Sequence, residues 1–179
     1  MEKLWIIDCE TTGIFRTSSL LEFGGLVLNK EMEILDKFEI VINYPIEMIK
    51  MQCSQEVFSM HEKSGLINRV LESKISISKA KEIFLELIEK HKSSIKPVLV
   101  NNNVRMDYMW LEENFKNQFI NSFNYRTIDV SSLNQLYNLW SPLPKEKFEI
   151  QKEYKHTALA DAIETYKELK LYYNLIKNI

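Results

Sequence analysis

The chain has 179 residues and a formal net charge of −2, with 45% hydrophobic and 27% charged residues. These values are ordinary for one globular domain. No apolar stretch approaches the roughly 20 residues that span a bilayer, and no basic tail or long Lys/Arg run appears, which disfavours a membrane-spanning protein and a protein that coats long nucleic acid. We expect a single domain over residues 1–179. Two cysteines, Cys9 and Cys53, are too few for a disulfide framework, so we expect the protein in the reducing cytoplasm.

The first quarter of the chain predicts three strands. Residues 4–7 form an apolar run rich in β-formers and predict a buried strand. Residues 20–29 predict a second strand, in which Gly24 and Gly25 indicate a bulge or a close backbone approach. Residues 33–42 alternate apolar with polar side chains and predict a third strand. The short turns between these strands favour an antiparallel meander.

The rest of the chain alternates helices with two further strands. Helices are predicted at residues 54–61, 65–71, 105–116, 132–140 and 157–177, and one more begins at an N-cap Ser78 and ends near residues 90–92. Strands are predicted at residues 97–100 and 126–130, and a loop at residues 141–155. This order predicts an α/β fold with a mixed five-stranded β-sheet, three antiparallel strands first, flanked by α-helices.

Two carboxylates stand at the end of the first predicted strand. Residues i and i+2 of a strand point to the same face, so Asp8 and Glu10 lie side by side. Like charges this close repel one another, and a divalent cation such as Mg²⁺ or Mn²⁺ would offset the repulsion. The alternative is that one carboxylate is a solvated charge and the other caps the turn at residues 11–13.

Two further carboxylates and a histidine lie near the starts of later helices. Asp107 follows the fourth strand, where an acidic residue also favours the helix dipole. Asp161 lies one turn into the last helix and His156 precedes that helix, although a lone histidine is more often structural. In one mixed sheet these places can converge with Asp8 and Glu10 at one edge. Such a group can hold two cations that act on a phosphodiester, with a histidine that deprotonates the attacking water near neutral pH.

Three segments around these residues resemble the motifs of the DEDDh 3′→5′ exonuclease superfamily, namely residues 8–13, 101–107 and 156–161. Three further stretches, residues 61–66, 125–133 and 140–142, resemble its oligoribonuclease-like members, so that the resemblance covers most of the chain. The resemblance implies a ribonuclease-H-like fold. It also implies an enzyme that hydrolyses short RNA oligonucleotides from the 3′ end to nucleoside 5′-monophosphates.

The resemblance implies a role for each member of the acidic group. The ligands of two divalent cations, Mg²⁺ or Mn²⁺, would be the four carboxylates Asp8, Glu10, Asp107 and Asp161. His156 would be the general base. Glu22, on the second strand, matches a further acidic position of the family, where it would support the metal site or only lie on a polar face.

The resemblance places six further residues at the substrate. Ile14 corresponds to an apolar wedge against a base, and Tyr125 to a tyrosine that the partner subunit of a homodimer provides for stacking. The residues that correspond to the grip on the terminal phosphate are Asn103, Arg126, Ser131 and Ser132. Asn103 replaces a serine of the family, which implies a looser grip. The residues alone also allow a turn residue at Ile14, a core aromatic at Tyr125 and a surface charge at Arg126.

Two other functions stay open at this point. The same chemistry would serve a proofreading or trimming exonuclease on single-stranded DNA or longer RNA tails, which favours an open groove with stacking aromatics. The lack of a basic patch and the pair Tyr125 and Arg126 argue against it. An inactive nucleic-acid-binding module is disfavoured, because all five catalytic positions are filled.

Overall fold

A computed structural model describes residues 2–141 and 155–177. In this part of the chain five strands form one sheet in the order β3-β2-β1-β4-β5. The strands are β1 (Lys3–Thr11), β2 (Leu20–Asn29), β3 (Ile34–Val41), β4 (Val98–Asn101) and β5 (Thr127–Asp129). The first three pair antiparallel, whereas β4 runs parallel to both β1 and β5. The predicted mixed sheet, with three antiparallel strands first, is confirmed.

Seven helices complete this part of the chain. They are α1 (Ile46–Gln52), α2 (Gln55–Lys63), α3 (Leu66–Glu72), α4 (Ile77–Lys90), α5 (Val104–Ser122), α6 (Val130–Trp140) and α7 (Ala158–Lys177). Within residues 2–141 and 155–177, none of them combines the length and the hydropathy that crossing a bilayer requires.

One helix and several helix boundaries differ from the prediction, most clearly in α1, α4 and α5. Helix α1 was not predicted, because Ile49 is its one buried residue and a single buried position gives no helical period. Helix α4 begins after Ser76, whose hydroxyl accepts a hydrogen bond from the backbone N–H of Lys79 at 3.2 Å, and not after Ser78. Helix α5 continues past its predicted end at Lys116, where the backbone kinks with φ of 48°. The predicted loop at residues 141–155 lies mostly outside the described residues.

Side chains alternate between two cores along β1. Trp5 and Ile7 point into a core shared with α4 and α5, whereas Ile6 points into a core shared with α6 and α7. Because the alternation has a period of two, Asp8 and Glu10 follow Ile6 on the face covered by α7. The pattern of β1 therefore turns both carboxylates toward the last helix.

Helix α7 approaches the sheet closely at Gly24. A Cβ atom on Gly24 would lie 3.0 Å from the backbone nitrogen of Leu159, and one on Gly25 would lie 2.0 Å from the carbonyl oxygen of Ile6. Both glycines pair with β1 in regular register, so the predicted close backbone approach is confirmed and the predicted bulge is wrong. The missing side chain of Gly24 therefore lets the first turn of α7 lie against β2, whereas Gly25 leaves room for the backbone of β1.

Candidate active site

The carboxyl end of β1 gathers three carboxylates. Asp8 and Glu10 come from β1 itself, and Asp107 comes from the first turn of α5. The Oδ1 atom of Asp107 accepts a hydrogen bond from the backbone N–H of Cys9 at 3.0 Å, which ties α5 to the strand. Glu10 is 8% exposed and Asp107 is 4% exposed, and Asp8 is half-buried. Glu10 is therefore not a solvated charge at a strand end.

The start of α7 adds a fourth carboxylate and a histidine. Ligand atoms of Glu10, His156 and Asp161 all lie within 4.8 Å of one another. His156 has a left-handed φ of 51°, a conformation that is uncommon for a residue other than glycine and that persists only where the surroundings impose it. The structure therefore brings together all five residues that the sequence placed in the acidic group.

Burial and mutual repulsion raise the pKa of these carboxyls. Desolvation, followed by the charges of Asp161, Glu22 and Asp107, raises the pKa of Glu10 to about 8. Desolvation raises the pKa of Asp107 to about 7, although hydrogen bonds from Asn101 and Cys9 act to lower it. Burial, and then the charge of Asp107, raises the pKa of Asp8 well above its usual range. The site as it stands favours protonated carboxyls.

The chemistry of the group fits a bound cation. Among the described residues, no lysine or arginine forms an ion pair with Asp8, Glu10 or Asp107. Buried carboxylates without a cationic partner are costly, and coordination by a metal ion is one of the usual ways to offset that cost. A set of carboxylate oxygens suits hard divalent cations. The four carboxylates could thus hold a metal ion.

Two buried polar side chains that the sequence did not single out stand behind the carboxylates. The Nδ2 group of Asn101 donates to Asp107 Oδ2 at 2.7 Å and to Asp8 Oδ1 at 3.1 Å. His61 is fully buried, and its Nε2–H donates to the carbonyl oxygen of Thr11 at 2.8 Å. Its Nδ1 atom then lies 3.8 Å from Glu10 Oε2. Each of them begins a segment of the family resemblance, Asn101 that of residues 101–107 and His61 that of residues 61–66, but the sequence assigned a role to neither.

Glu22 anchors the start of α7. It is fully buried on β2, so the alternative of a polar face is wrong. Its carboxylate accepts hydrogen bonds from the Arg69 guanidinium at 2.7 Å and from the backbone N–H of Ala158 at 3.3 Å. Because Ala158 is the first residue of α7, Glu22 fixes the position of the helix that carries Asp161.

Three of the predicted substrate residues meet near the carboxyl ends of β4 and β5. Asn103, with φ of 51°, precedes α5 and donates its backbone N–H to the Ser131 hydroxyl at 3.3 Å. The Ser131 hydroxyl donates to the Asp129 carboxylate, which also accepts the backbone N–H of Ser132 at 3.1 Å. Ser131 is half-buried, whereas Asn103 and Ser132 are exposed.

The other three predicted substrate residues are exposed. Ile14 lies between β1 and β2 and is 70% exposed. Tyr125 is 81% exposed, so it is not a core aromatic, and the Arg126 guanidinium lies 5.1 Å from the centre of its ring. Both residues precede β5, so they lie at the amino ends of the parallel strands, whereas the carboxylates lie at the carboxyl ends. Within one chain, the structure does not bring this pair to the acidic group.

A cleft of about 850 Å³ opens beside His156. Its walls are α2 and the turn that follows this helix on one side and the residues before α7 on the other. The lining residues are Gln55, Glu56, Ser59, Met60, Lys63, Ser64, Lys155 and His156. This volume lies within the usual range for small-molecule sites.

Comparison with known proteins gives one family. The chain matches the family model described as exonuclease (RNase_T) over residues 5–169. It is 34% identical over 175 residues to the oligoribonuclease of Mycobacterium sp. (strain KMS), covering 96% of this chain and 79% of that protein. It is 30% identical over 177 residues to the oligoribonuclease of Ruthia magnifica subsp. Calyptogena magnifica, covering 98% of this chain and 96% of that protein.

Solved structures of exonuclease I share the fold. The Escherichia coli enzyme in complex with a dT13 oligonucleotide superposes with a TM-score of 0.68 at 14% identity, covering 96% of this chain. The enzyme of Methylocaldum szegediense superposes with a TM-score of 0.65 at 15% identity, covering 97% of this chain. This chain spans only 41% of either of those chains, and at such identity the likeness concerns the fold alone. It confirms the predicted ribonuclease-H-like fold.

The raised carboxyl pKa values predict that the metal-free protein loses stability as the pH rises. Glu10 and Asp107, with pKa values of about 8 and about 7, stabilise the fold in their protonated form. This contribution is complete below their ordinary pKa of about 4 and is lost as the pH rises through about 7 to 8. The midpoint temperature of thermal unfolding, measured in EDTA, should therefore decrease as the pH is raised from about 5 to about 9.

A divalent cation should restore much of this loss at the higher pH, because it binds the ionised form. Scanning calorimetry of the wild type and of Glu10→Gln, which cannot ionise at this position, checks both expectations. A pH dependence that is as steep in Glu10→Gln as in the wild type would contradict the assignment.

Proposed function

The chain belongs to the exonuclease family, and on that premise we propose that it is a single-domain, cytoplasmic 3′→5′ exoribonuclease. Its substrates are short RNA oligonucleotides, which it hydrolyses to nucleoside 5′-monophosphates. The observation that carries the proposal is the meeting of four carboxylates and a histidine where the carboxyl end of β1 faces the starts of α5 and α7, beside a cleft of about 850 Å³. Relatives named oligoribonuclease, aligned over nearly the whole chain, support the choice of substrate.

The four carboxylates hold two divalent cations, Mg²⁺ or Mn²⁺, in this proposal. Their ligands are Asp8, Glu10, Asp107 and Asp161. When bound, the cations activate a water molecule and stabilise the leaving oxygen of the phosphodiester. The proposal is supported by the burial of the carboxylates and by the lack of a lysine or arginine ion pair to Asp8, Glu10 or Asp107 among the described residues.

A ring nitrogen of His156 accepts the proton of the attacking water. A general base must lie within reach of the reacting water, and His156 lies at the wall of the cleft and beside the ligand atoms of Glu10 and Asp161. Its left-handed backbone holds the imidazole at this place before α7 begins. Glu22 contributes by fixing the first residue of the same helix, Ala158.

The substrate residues grip the two ends of a short oligonucleotide. Ile14, an exposed apolar side chain after β1, wedges against a base. The end phosphate is held by the polar side chains of Asn103, Ser131 and Ser132, which internal hydrogen bonds to Ser131 and Asp129 gather at the ends of β4 and β5. A capped end of this kind favours the shortest substrates, because it leaves no path for a longer strand.

A second copy of the chain completes the site. Tyr125 and Arg126 lie at the amino ends of the parallel strands, away from the carboxylates. We therefore propose that they serve the site of the partner subunit in a homodimer. Helix α6 supports the proposal, because Leu136, Leu139 and Trp140 lie at helical spacing and are exposed, Trp140 at 74%. Such an apolar face is what a permanent interface between copies buries.

The function is tested by the metal-dependent hydrolysis of 5′-labelled RNA of three lengths, a dinucleotide, a five-mer and a long strand. Cleavage should be fastest on the dinucleotide. His156→Ala should lower the rate by roughly 10²- to 10⁴-fold, as for a lost general base. Asp107→Asn should abolish turnover, whereas Asp36→Asn, a matched change at a carboxylate bound to Lys90 and His91, should keep the wild-type rate.

Two results would redirect or remove the proposal. Faster cleavage of the long strand, or of single-stranded DNA, would replace the short-RNA substrate by an open trimming or proofreading activity and keep the chemistry. Full activity of His156→Ala would remove the proposed role of this residue.

The shared site predicts that Tyr125→Ala loses most activity on the dinucleotide and least on the long strand. The loss is largest on the dinucleotide because a short substrate has no further contacts to make up for the lost stacking of the partner's tyrosine on its base. Base–aromatic stacking is worth about 1–3 kcal/mol, so the rate at low substrate should fall by roughly 5- to 150-fold. Tyr108→Phe, a tyrosine of α5 that packs on Phe119, is the control. An equal loss on all lengths, or a monomer by analytical ultracentrifugation, would contradict the shared site.

A further inference from the structure

Asn101 lies at the centre of the acidic group without being one of its proposed ligands. It is fully buried at the carboxyl end of β4, next to β1 in the sheet. Its amide nitrogen donates to one oxygen of Asp107 and one oxygen of Asp8, at 2.7 Å and 3.1 Å. The opposite arrangement would point the amide oxygen at two carboxylates. The orientation of this amide therefore decides whether the two carboxylates are held or repelled.

Helix α7 fixes that orientation through Thr165. The Thr165 hydroxyl lies 3.2 Å from Asn101 Oδ1, and the Nδ2 group of Asn102 lies 3.1 Å from the same hydroxyl. An amide nitrogen can only donate, so the hydroxyl accepts from Asn102 and gives its own hydrogen to Asn101. Thr165 is 2% exposed, so water has little access to replace this bond.

The chain of hydrogen bonds continues to a buried acid of the same helix. The Asn102 amide also donates to Glu168 Oε2 at 3.1 Å, and Glu168 is buried. From Asn102 through Thr165 to Asn101, each donor then points toward the carboxylates that we propose as metal ligands, whereas the second bond of the Asn102 amide points away from them, to Glu168. The other oxygen of Asp107 accepts the backbone N–H of Cys9, so the plane of this carboxylate is fixed at both oxygens.

We propose that Asn101 and Thr165 are positioning residues of the metal centre. The Thr165 hydroxyl holds the Asn101 amide with its nitrogen toward Asp8 and Asp107, and the amide sets the carboxylate oxygens for the cation. The inference rests on the proposed function, since it assigns residues that stand behind the proposed ligands. Partners of this kind orient metal ligands, and their loss typically weakens metal affinity or activity by about 10- to 100-fold.

Mn²⁺ binding to the full chain, measured by isothermal titration calorimetry, tests the inference on two variants of one position. Thr165→Val keeps the shape of the side chain and removes the hydroxyl, whereas Thr165→Ser keeps the hydroxyl and removes the methyl group. The dissociation constant for Mn²⁺ should rise about 10-fold or more in Thr165→Val and stay within about twofold in Thr165→Ser. Equal binding by Thr165→Val and the wild type would overturn the inference, and so would a Thr165→Ser variant that binds as weakly as Thr165→Val.

A second variant and a control keep the result decisive. Asn101→Ala removes the amide and should weaken Mn²⁺ binding at least as much as Thr165→Val, and unchanged binding in this variant would also overturn the inference. Thermal unfolding in EDTA shows that each variant is folded before titration. If the wild type and Asp8→Ala bind Mn²⁺ alike, the proposed metal centre itself is wrong. If Asp8→Ala loses binding and Thr165→Val does not, only the positioning role fails.

Discussion

The rest of the site depends on one constraint, the burial of several carboxylates close together at the carboxyl end of β1, beside β4. Glu10 and Asp107 are buried, and Asp8 lies between them half-buried. Each charge raises the free energy of the others, so the site needs donors, protons or a cation. The Cys9 backbone and the Asn101 amide donate to Asp107, yet desolvation still raises the pKa of Asp107 to about 7, and desolvation followed by the neighbouring charges raises the pKa of Glu10 to about 8. A divalent cation would complete the compensation.

The fold serves this constraint by bringing distant segments to one edge. The parallel pairing of β1 and β4 places Asp8 and Asn101 side by side, and the missing side chain of Gly24 lets α7 approach β2 at Leu159. Glu22 then fixes the start of that helix through the backbone of Ala158. The same helix carries Asp161, so the packing of α7 on the sheet also places this carboxylate in the acidic group.

Local patterns of the sequence predicted the parts of the site that depend on local geometry. The i and i+2 spacing in a strand was enough to place Asp8 and Glu10 together. The paired glycines of β2 indicated that another backbone segment approaches this strand closely. For Glu22 the sequence allows two settings, and the burial of this side chain and its bond to Ala158 separate them.

The remaining residues depend on contacts between segments far apart in the chain, which no periodicity reports. His61 reaches the site from α2, 50 positions away from its partner Thr11. Helix α1 gave no signal in the sequence because Ile49 is its one buried residue, so its pattern shows no helical period. The placement of Tyr125 follows from the direction of β5 in the sheet, which requires the topology.

An anomalous difference map from crystals of His156→Ala grown with Mn²⁺ and a short RNA tests the central claim most directly. Two anomalous peaks are expected among Asp8, Glu10, Asp107 and Asp161, with the RNA 3′ end in the cleft beside residue 156. A map without peaks among these carboxylates, or with Mn²⁺ bound only elsewhere on the protein, would contradict it.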